Sequence, residues 1–387
     1  MTKIAAEPLA ALRARTSAKW QTYPADVLPL FVAEMDFPLA VPVQQAIIER
    51  VLASDTGYIA GPEPVAAAFA GFAERSWGWA VDPGDVRTTT DASVAIVECL
   101  RQAVPVDGSV IITPPVYPPF YELPPEADAS VVEVPLLLTG TGWQLDLPEL
   151  EKAFARGADA LLLCSPHNPL GLIHSADSLR VVAELSAKYG VAVISDEIHA
   201  PLAYMPGAFT PYLSVSANAR EYGICVTAAS KAWNIAGTKC ALMVAQSDRT
   251  RLQLDSMPEE VAARTSILGL HATKAAYDDG APWLAGVLES LDANRRLLGE
   301  LLAAELPEAV YRPPAAGYLA WLDLRGLGWG DDPAAVALEQ GRVALESGLK
   351  FGRRGAGFAR LNFACSPEVL TEAVDRLARV RAGRQAK

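Results

Sequence analysis

Ala160-Leu161-Leu162-Leu163-Cys164-Ser165-Pro166-His167-Asn168-Pro169 sets an unbroken apolar run of strand length against a polar turn. The run does not alternate with polar residues, so it reads as a strand buried on both faces. A helical stretch follows from Ser175 to Tyr189, and a second unbroken run, Val191-Ala192-Val193-Ile194-Ser195, comes directly after it. Outward from this unit the alternation continues. Toward the N-terminus, strands are expected at Val110–Thr113 and Val131–Val134, and helices at Asp91–Ala103, Pro119–Leu123 and Leu147–Arg156, the last opened by an Asp146/Glu149 capping box. Toward the C-terminus, strands are expected at Gly223–Thr227 and Cys240–Ala245. Apolar strands separated by helices make a mostly parallel sheet covered on both faces, an α/β fold whose ligands sit at the carboxyl ends of the strands.

The flanks have a different character. Residues 1–45 read as an arm with one apolar run, Val27–Ala33, that ends in Glu34-Met35-Asp36-Phe37. Helices are expected at Val41–Ala53, stopped by Gly57-Tyr58, and at Glu63–Trp77, opened by Gly61-Pro62 and closed by Gly78. From Pro258 to Leu306 the pattern is helical. Beyond Pro307 it becomes α+β, with strands at Gly317–Leu324 and Phe358–Ala364, a helix over Pro333–Ser347 and a last helix opened by Ser366-Pro367-Glu368. We therefore expect an arm, residues 1–45, that belongs to a smaller domain; a large domain, residues 46–282; and a C-terminal small domain, residues 283–387.

Composition excludes several classes. The chain has 387 residues, 51% hydrophobic and 20% charged, as a folded globular protein does. No stretch approaches a membrane span of about 18 apolar residues. The start, Met1-Thr2-Lys3-Ile4-Ala5-Ala6-Glu7, lacks the apolar core of a secretory signal, so the cytoplasm is expected. A net charge of −12 disfavours nucleic acid and anionic lipid as partners. The five cysteines have no CxxC pair and read as reduced core thiols, and the four histidines have no metal-ligand spacing. Gly140-Thr141-Gly142 opens no helix and lacks the third glycine of a dinucleotide fingerprint, which argues against a nicotinamide dehydrogenase.

Chemistry should gather where the strands end. Asn168 follows Cys164, Asp196 follows Ile194-Ser195, and Lys231 follows Gly223–Thr227. An amide, an acid and a lysine thus converge on one rim, where desolvation would favour the neutral amine that attacks carbonyls.

SPHNPLG at 165–171, SDEIH at 195–199, SKAWNIAG at 230–237 with a basic residue eight positions after its lysine, and FARLNFA at 358–364 resemble the fold-type I pyridoxal-phosphate enzymes of the aminotransferase class I/II group. Together with VAEMDF at 32–37, they are similar to the MalY/PatB-type carbon–sulfur β-lyases, the cystathionine β-lyases. The resemblance implies the PLP-dependent transferase-like fold, with a mostly parallel seven-stranded sheet and a small α+β domain. It implies pyridoxal 5'-phosphate as cofactor and β-elimination of L-cystathionine or a related sulfur amino acid to thiol, pyruvate and ammonia; an aminotransferase for an aromatic or other amino acid is the alternative. A non-catalytic, cofactor-binding regulator would need a DNA-binding extension, and none precedes residue 20.

The resemblance also assigns roles. Lys231 carries the cofactor as a Schiff base and takes the Cα proton; Asp196 pairs with the pyridinium nitrogen; Asn168 bonds the ring's 3-oxygen; His199 lies beside the same region; Tyr117 stacks on the ring. Ala92 and Ser93, by their backbone N–H groups, with Ser230 and Lys239 hold the phosphate, and Tyr58 reaches that of the neighbouring subunit, which implies a homodimer with shared active sites. Arg360 holds the substrate carboxylate. Relative to the family pattern, the phosphate turn Thr90-Asp91-Ala92-Ser93 lacks a glycine, Ala228 replaces a serine, Lys239 replaces an arginine and Glu34 replaces an aspartate.

Overall fold

Seven strands supply the frame on which every strand-end residue depends. In a computed structural model that describes residues 3–140 and 142–385, they are β1 (Val86–Thr89), β2 (Ser109–Ile112), β3 (Ser130–Glu133), β4 (Ala160–Cys164), β5 (Ala192–Asp196), β6 (Gly223–Thr227) and β7 (Ala241–Val244). Their order is β1-β7-β6-β5-β4-β2-β3. All pairings are parallel except those of β7, which runs antiparallel to both β6 and β1. Strands β4, β5, β6 and β7 are buried at every position, which is why their sequences are unbroken apolar runs. Met1 and Thr2 of the start that lacks a signal-like apolar core lie outside the described residues, as do Thr141 of the Gly140–Gly142 string and Ala386 and Lys387 of the small domain expected at 283–387.

The chain divides into two compact units, one of Met1–Pro38, Asn168–Gly171 and Ala285–Lys387 and the other of Leu39–His167 and Leu172–Leu284. The larger unit holds the seven-stranded sheet. Helices α1 (Val41–Leu52), α2 (Glu63–Trp77), α3 (Ala92–Ala103), α4 (Ala176–Tyr189) and α5 (Ile267–Asp279) belong to it. Helix α3 packs on the sheet, with Ile96, Cys99 and Leu100 joining Val110, Leu162, Ile194 and Val226 in one core. Asp91 and Ser175 cap α3 and α4, and Gly78, with φ 62°, closes α2, as the sequence implies.

The smaller unit contains a four-stranded antiparallel sheet of β8 (Val310–Tyr311), β9 (Leu319–Asp323), β10 (Glu346–Ser347) and β11 (Phe358–Asn362), in the order β8-β9-β11-β10. Helices spanning Pro333–Gly341 and Pro367–Gln385 belong to this unit. Its arm has two one-turn helices, Leu9–Leu12 and Ala18–Gln21, and Leu28–Pro29 pairs with Val343–Ala344.

Several expectations change. The helix expected over Pro333–Ser347 stops at Gly341, because Arg342 takes a left-handed conformation and the next residues enter strands. Helix α1 ends at Leu52, one residue short of the expected Ala53, with Ser54 at φ 57° ahead of Gly57-Tyr58. Its apolar face is largely exposed; only Val43 is buried. The Asp146 half of the expected capping box forms, with its carboxylate accepting the N–H of Glu149 at 3.1 Å. The strand Val86–Thr89 has no apolar run to announce it, since it is an edge strand that pairs only with β7.

One close approach ties the fold to the site. At Gly269 in α5, a Cβ would lie 2.1 Å from the carbonyl oxygen of Thr238 and 3.0 Å from that of Lys239. Gly269→Ala must therefore displace the turn that carries Lys239, and it should cost roughly 2 kcal/mol. Thermal unfolding of the two proteins measures this; equal melting temperatures would show that the turn moves freely.

Candidate active site

Strand β5 ends at Asp196, whose side chain is 6% exposed. Its Oδ1 accepts the N–H of Ile198 at 3.1 Å. Burial raises its pKa to about 6, and the Ile198 N–H and the positive charge of Lys231 work against that rise. Lys231 is half-buried, four residues beyond the end of β6. The neighbouring register of β5 and β6, with Asp196 opposite Val226, brings the two chain segments to the same rim.

The turn behind Lys231 is nailed down by an aromatic. Trp233 is fully buried, donates its Nε1–H to the carbonyl of Gly280 at 3.1 Å, and meets Phe72 and Tyr277 edge-on at 5.6 and 5.4 Å. Its backbone N–H reaches Ala229 O, and that of Ile235 reaches Ser230 O, so the segment carrying Ser230 and Lys231 is closed on itself. A lysine on such a turn keeps its Cα fixed while its long side chain moves.

The segment that carries Lys239 is placed by register as well. Ala241 of β7 pairs with Thr89 of β1, which sets Lys239 and Asp91, each two residues away, within 2.9 Å as an ion pair. Asp91 also accepts the N–H of Val94 at 3.0 Å as the cap of α3. Ala92 and Ser93 occupy the first turn of α3, where N–H groups have no partner within the helix. The ion pair was not foreseen from sequence, although an Asp before Ala-Ser at a helix start is the usual sign of a cap.

His199 is 7% exposed, and its carbonyl accepts the N–H of Leu202. Tyr117 is half-buried, packs against the core around α3, and meets Phe120 edge-on at 6.0 Å. Tyr58 stands apart from these, 89% exposed. In the smaller unit, Asn168 and Arg360 meet: Arg360 Nη1 donates to Asn168 Oδ1 at 3.1 Å, and both side chains are buried. Arg360 sits on β11, paired with Trp321 on one side and Glu346 on the other, with its guanidinium 5.1 Å from the centre of the Phe351 ring.

These residues suit pyridoxal 5'-phosphate by their donor chemistry. A carboxyl stripped of water favours a cationic ring nitrogen beside it. First-turn N–H groups with a lysine nearby suit a phosphate, and an amine on a rigid turn suits an aldehyde.

Glu197, directly after Asp196, is a further buried acid. Its Oε1 accepts the Ser195 hydroxyl at 2.9 Å and the N–H of Tyr212 at 2.8 Å. Burial pushes its pKa up to about 7, and the charge of Asp196 adds to the rise. A carboxyl whose pKa is higher in the folded state contributes stability that is complete below its unfolded pKa and is lost as pH rises through its folded one. Between about pH 4.5 and pH 7 the wild-type apoprotein should therefore lose stability relative to Glu197→Gln. Melting temperatures of the two across that window measure the difference; parallel curves would contradict it.

Comparison with known proteins gives a consistent set. The profile of the family described as aminotransferase class I and II matches residues 38–377. A Mycobacterium tuberculosis protein provisionally named a cystathionine beta-lyase is 43% identical over 391 residues, spanning 94% of each chain. The cystathionine beta-lyase of Corynebacterium glutamicum is 38% identical over 379 residues, spanning 95% of this chain and 98% of its own. Among solved structures, a PLP-dependent beta-cystathionase of Corynebacterium diphtheriae, so named provisionally, superposes with a TM-score of 0.93 at 34% identity, over 98% of this chain and 99% of its own. Cystalysin from Treponema denticola, solved with pyridoxal 5'-phosphate, superposes with a TM-score of 0.92 at 25% identity over all of both chains.

Proposed function

The chain belongs to the aminotransferase class I and II family, and from that premise we propose that it is a pyridoxal 5'-phosphate-dependent carbon–sulfur β-lyase acting on L-cystathionine or a related sulfur amino acid. The observation that carries the chemistry is the buried Asp196 carboxyl in the field of Lys231 at adjoining strand ends. The likeness to cystathionine β-lyases along nearly the whole chain favours elimination over transamination.

When bound, the cofactor supplies a cationic ring that draws electrons from the substrate's α-carbon. The residues of this chain do the rest. Asp196 holds the proton on the ring nitrogen. Asn168, whose Oδ1 accepts from Arg360, would offer its Nδ2 donor to the ring's 3-oxygen. The Ala92 and Ser93 N–H groups, Ser230 and Lys239 hold the phosphate; because Lys239 also pairs with Asp91, much of that task falls to the backbone donors. Tyr117 would stack on the ring, and His199 would lie beside the same region. Arg360 binds the substrate carboxylate and Lys231 removes the Cα proton. The Cα–H electrons form the Cα–Cβ double bond as the Cβ–S bond breaks, and the thiolate leaves. Hydrolysis of the resulting enamine gives pyruvate and ammonia.

A homodimer completes this reading. Leu39, Val41, Ile48, Val51 and Leu52 are exposed on and beside α1, close in sequence to Tyr58. An apolar surface of that kind suits a second copy, with Tyr58 reaching its phosphate. No helix among the described residues is long and apolar enough to cross a membrane. The cytoplasm suits five buried cysteine thiols.

With L-cystathionine and no keto acid, the holoenzyme should release pyruvate and thiol in equal amounts over many turnovers. A single conversion of the cofactor to its pyridoxamine form, with no pyruvate, would mean transamination instead. Arg360→Lys, which keeps the charge and loses the two-pronged fork, should raise KM on the order of 10- to 100-fold. An unchanged KM would remove Arg360 from carboxylate binding.

A further inference from the structure

The segment Phe31–Phe37, which contains all of VAEMDF, is irregular, yet each of its seven carbonyl oxygens is met by a donor from outside it. Phe31 O accepts from Arg360 Nη2 at 2.9 Å, and Val32 O from Asn362 Nδ2 at 2.7 Å. Ala33 O accepts from the Tyr318 hydroxyl at 3.1 Å. Glu34 O accepts from both Lys19 Nζ, at 3.1 Å, and Asn362 Nδ2, at 2.6 Å. Met35 O and Phe37 O accept from Arg15, and Asp36 O from the Glu7 N–H. Backbone acceptors outside helices and sheets ordinarily turn to water. Here five side chains and one backbone N–H do that work, which fixes the segment as firmly as a strand.

Its anchor is a buried ion pair. Lys19 Nζ lies 2.8 Å from Asp36 Oδ1, both side chains are 1% exposed or less, and Trp20 Nε1 donates to the same oxygen at 3.2 Å. Such a pair is a poor source of net stability but holds a geometry closely, since breaking it strands a charge away from water. At the other end, the segment's first carbonyl touches the guanidinium of Arg360.

We propose that Phe31–Phe37 is a strap anchored by the Lys19–Asp36 pair, and that Lys19 is a positioning residue whose task is to aim Arg360 at the amino-acid carboxylate. The strap runs from the arm's second one-turn helix, Ala18–Gln21, to β11, where Asn362 N donates to Leu30 O and Asp36 N to Ala364 O. A shift of the strap moves the Phe31 carbonyl, and the guanidinium must follow or lose that bond. Misplacement by about 1 Å weakens a two-pronged contact severely. This inference rests on the carboxylate role of Arg360 proposed above and adds to it the element that sets the arginine's aim.

The test uses holoenzyme and two readouts: affinity for L-alanine from the change in cofactor absorbance, which requires no particular reaction, and turnover of L-cystathionine. Lys19→Met should weaken L-alanine binding and raise KM about 10-fold or more, with kcat within about 2-fold and cofactor retention unchanged. The double variant Lys19→Met/Asp36→Leu, which leaves no buried charge, should behave alike and serves where the single variant folds poorly. Tyr318→Phe removes the hydroxyl that donates to Ala33 O and should weaken L-alanine binding about 3-fold. Unchanged L-alanine affinity in the Lys19 variants and in Tyr318→Phe would overturn the strap, as would a loss of affinity, kcat and cofactor together. Arg360→Lys run in parallel separates the two ideas: if it too leaves affinity unchanged, the carboxylate role itself has failed.

Discussion

Asp196 must give up water at the end of β5, and the site follows from how that is compensated. A carboxyl at this depth resists ionisation, so its charged form needs a cation held close by the surrounding structure. Lys231 provides part of that field from the turn after the next strand. The same burial would favour a cationic ring beside Asp196. The second acid, Glu197, lies next in the chain and is held near neutrality by its own burial, so that one strand end carries two acids and need not carry two charges.

Sheet order and register convert this local chemistry into a site. Strand β5 is central, with β6 and β4 as its parallel neighbours, so the segments bearing Asp196 and Lys231 leave adjoining strands in the same direction. The antiparallel strand β7 returns the chain to the rim and, by pairing with β1, sets Lys239 against the cap of α3. In the smaller unit, β11 does the corresponding work: Arg360 and Asn362, two residues apart, both grip the strap between Phe31 and Glu34.

Much of this was legible in the sequence, for physical reasons. Strands buried on both faces are apolar throughout, so Ala160–Cys164 and Gly223–Thr227 stand out with their bounds intact. Caps such as Asp91 and Ser175 and the glycine stop at Gly78 announce helix ends, because the orphan backbone groups there require them. What escaped depends on partners distant in sequence. Val86–Thr89 is a strand only because β7 comes to its side. The helix expected to reach Ser347 stops at Gly341, where pairing with Leu28–Pro29 and Phe358–Asn362 takes over. The donors to the strap come from residues 7, 15, 19, 318, 360 and 362, a spacing with no local signature. The exposure of the apolar face of α1 was not legible either, because helical periodicity reports an apolar surface and does not say what covers it.

The central claim is that one amine, on the turn fixed by Trp233 and facing the field of Asp196, is the one that holds the cofactor. Borohydride reduction of the holoenzyme followed by peptide mapping tests it most directly. A single pyridoxyl-phosphate adduct, on Lys231, is expected. An adduct on Lys239 or on any other lysine, or no adduct in a protein that retains its cofactor, would contradict it.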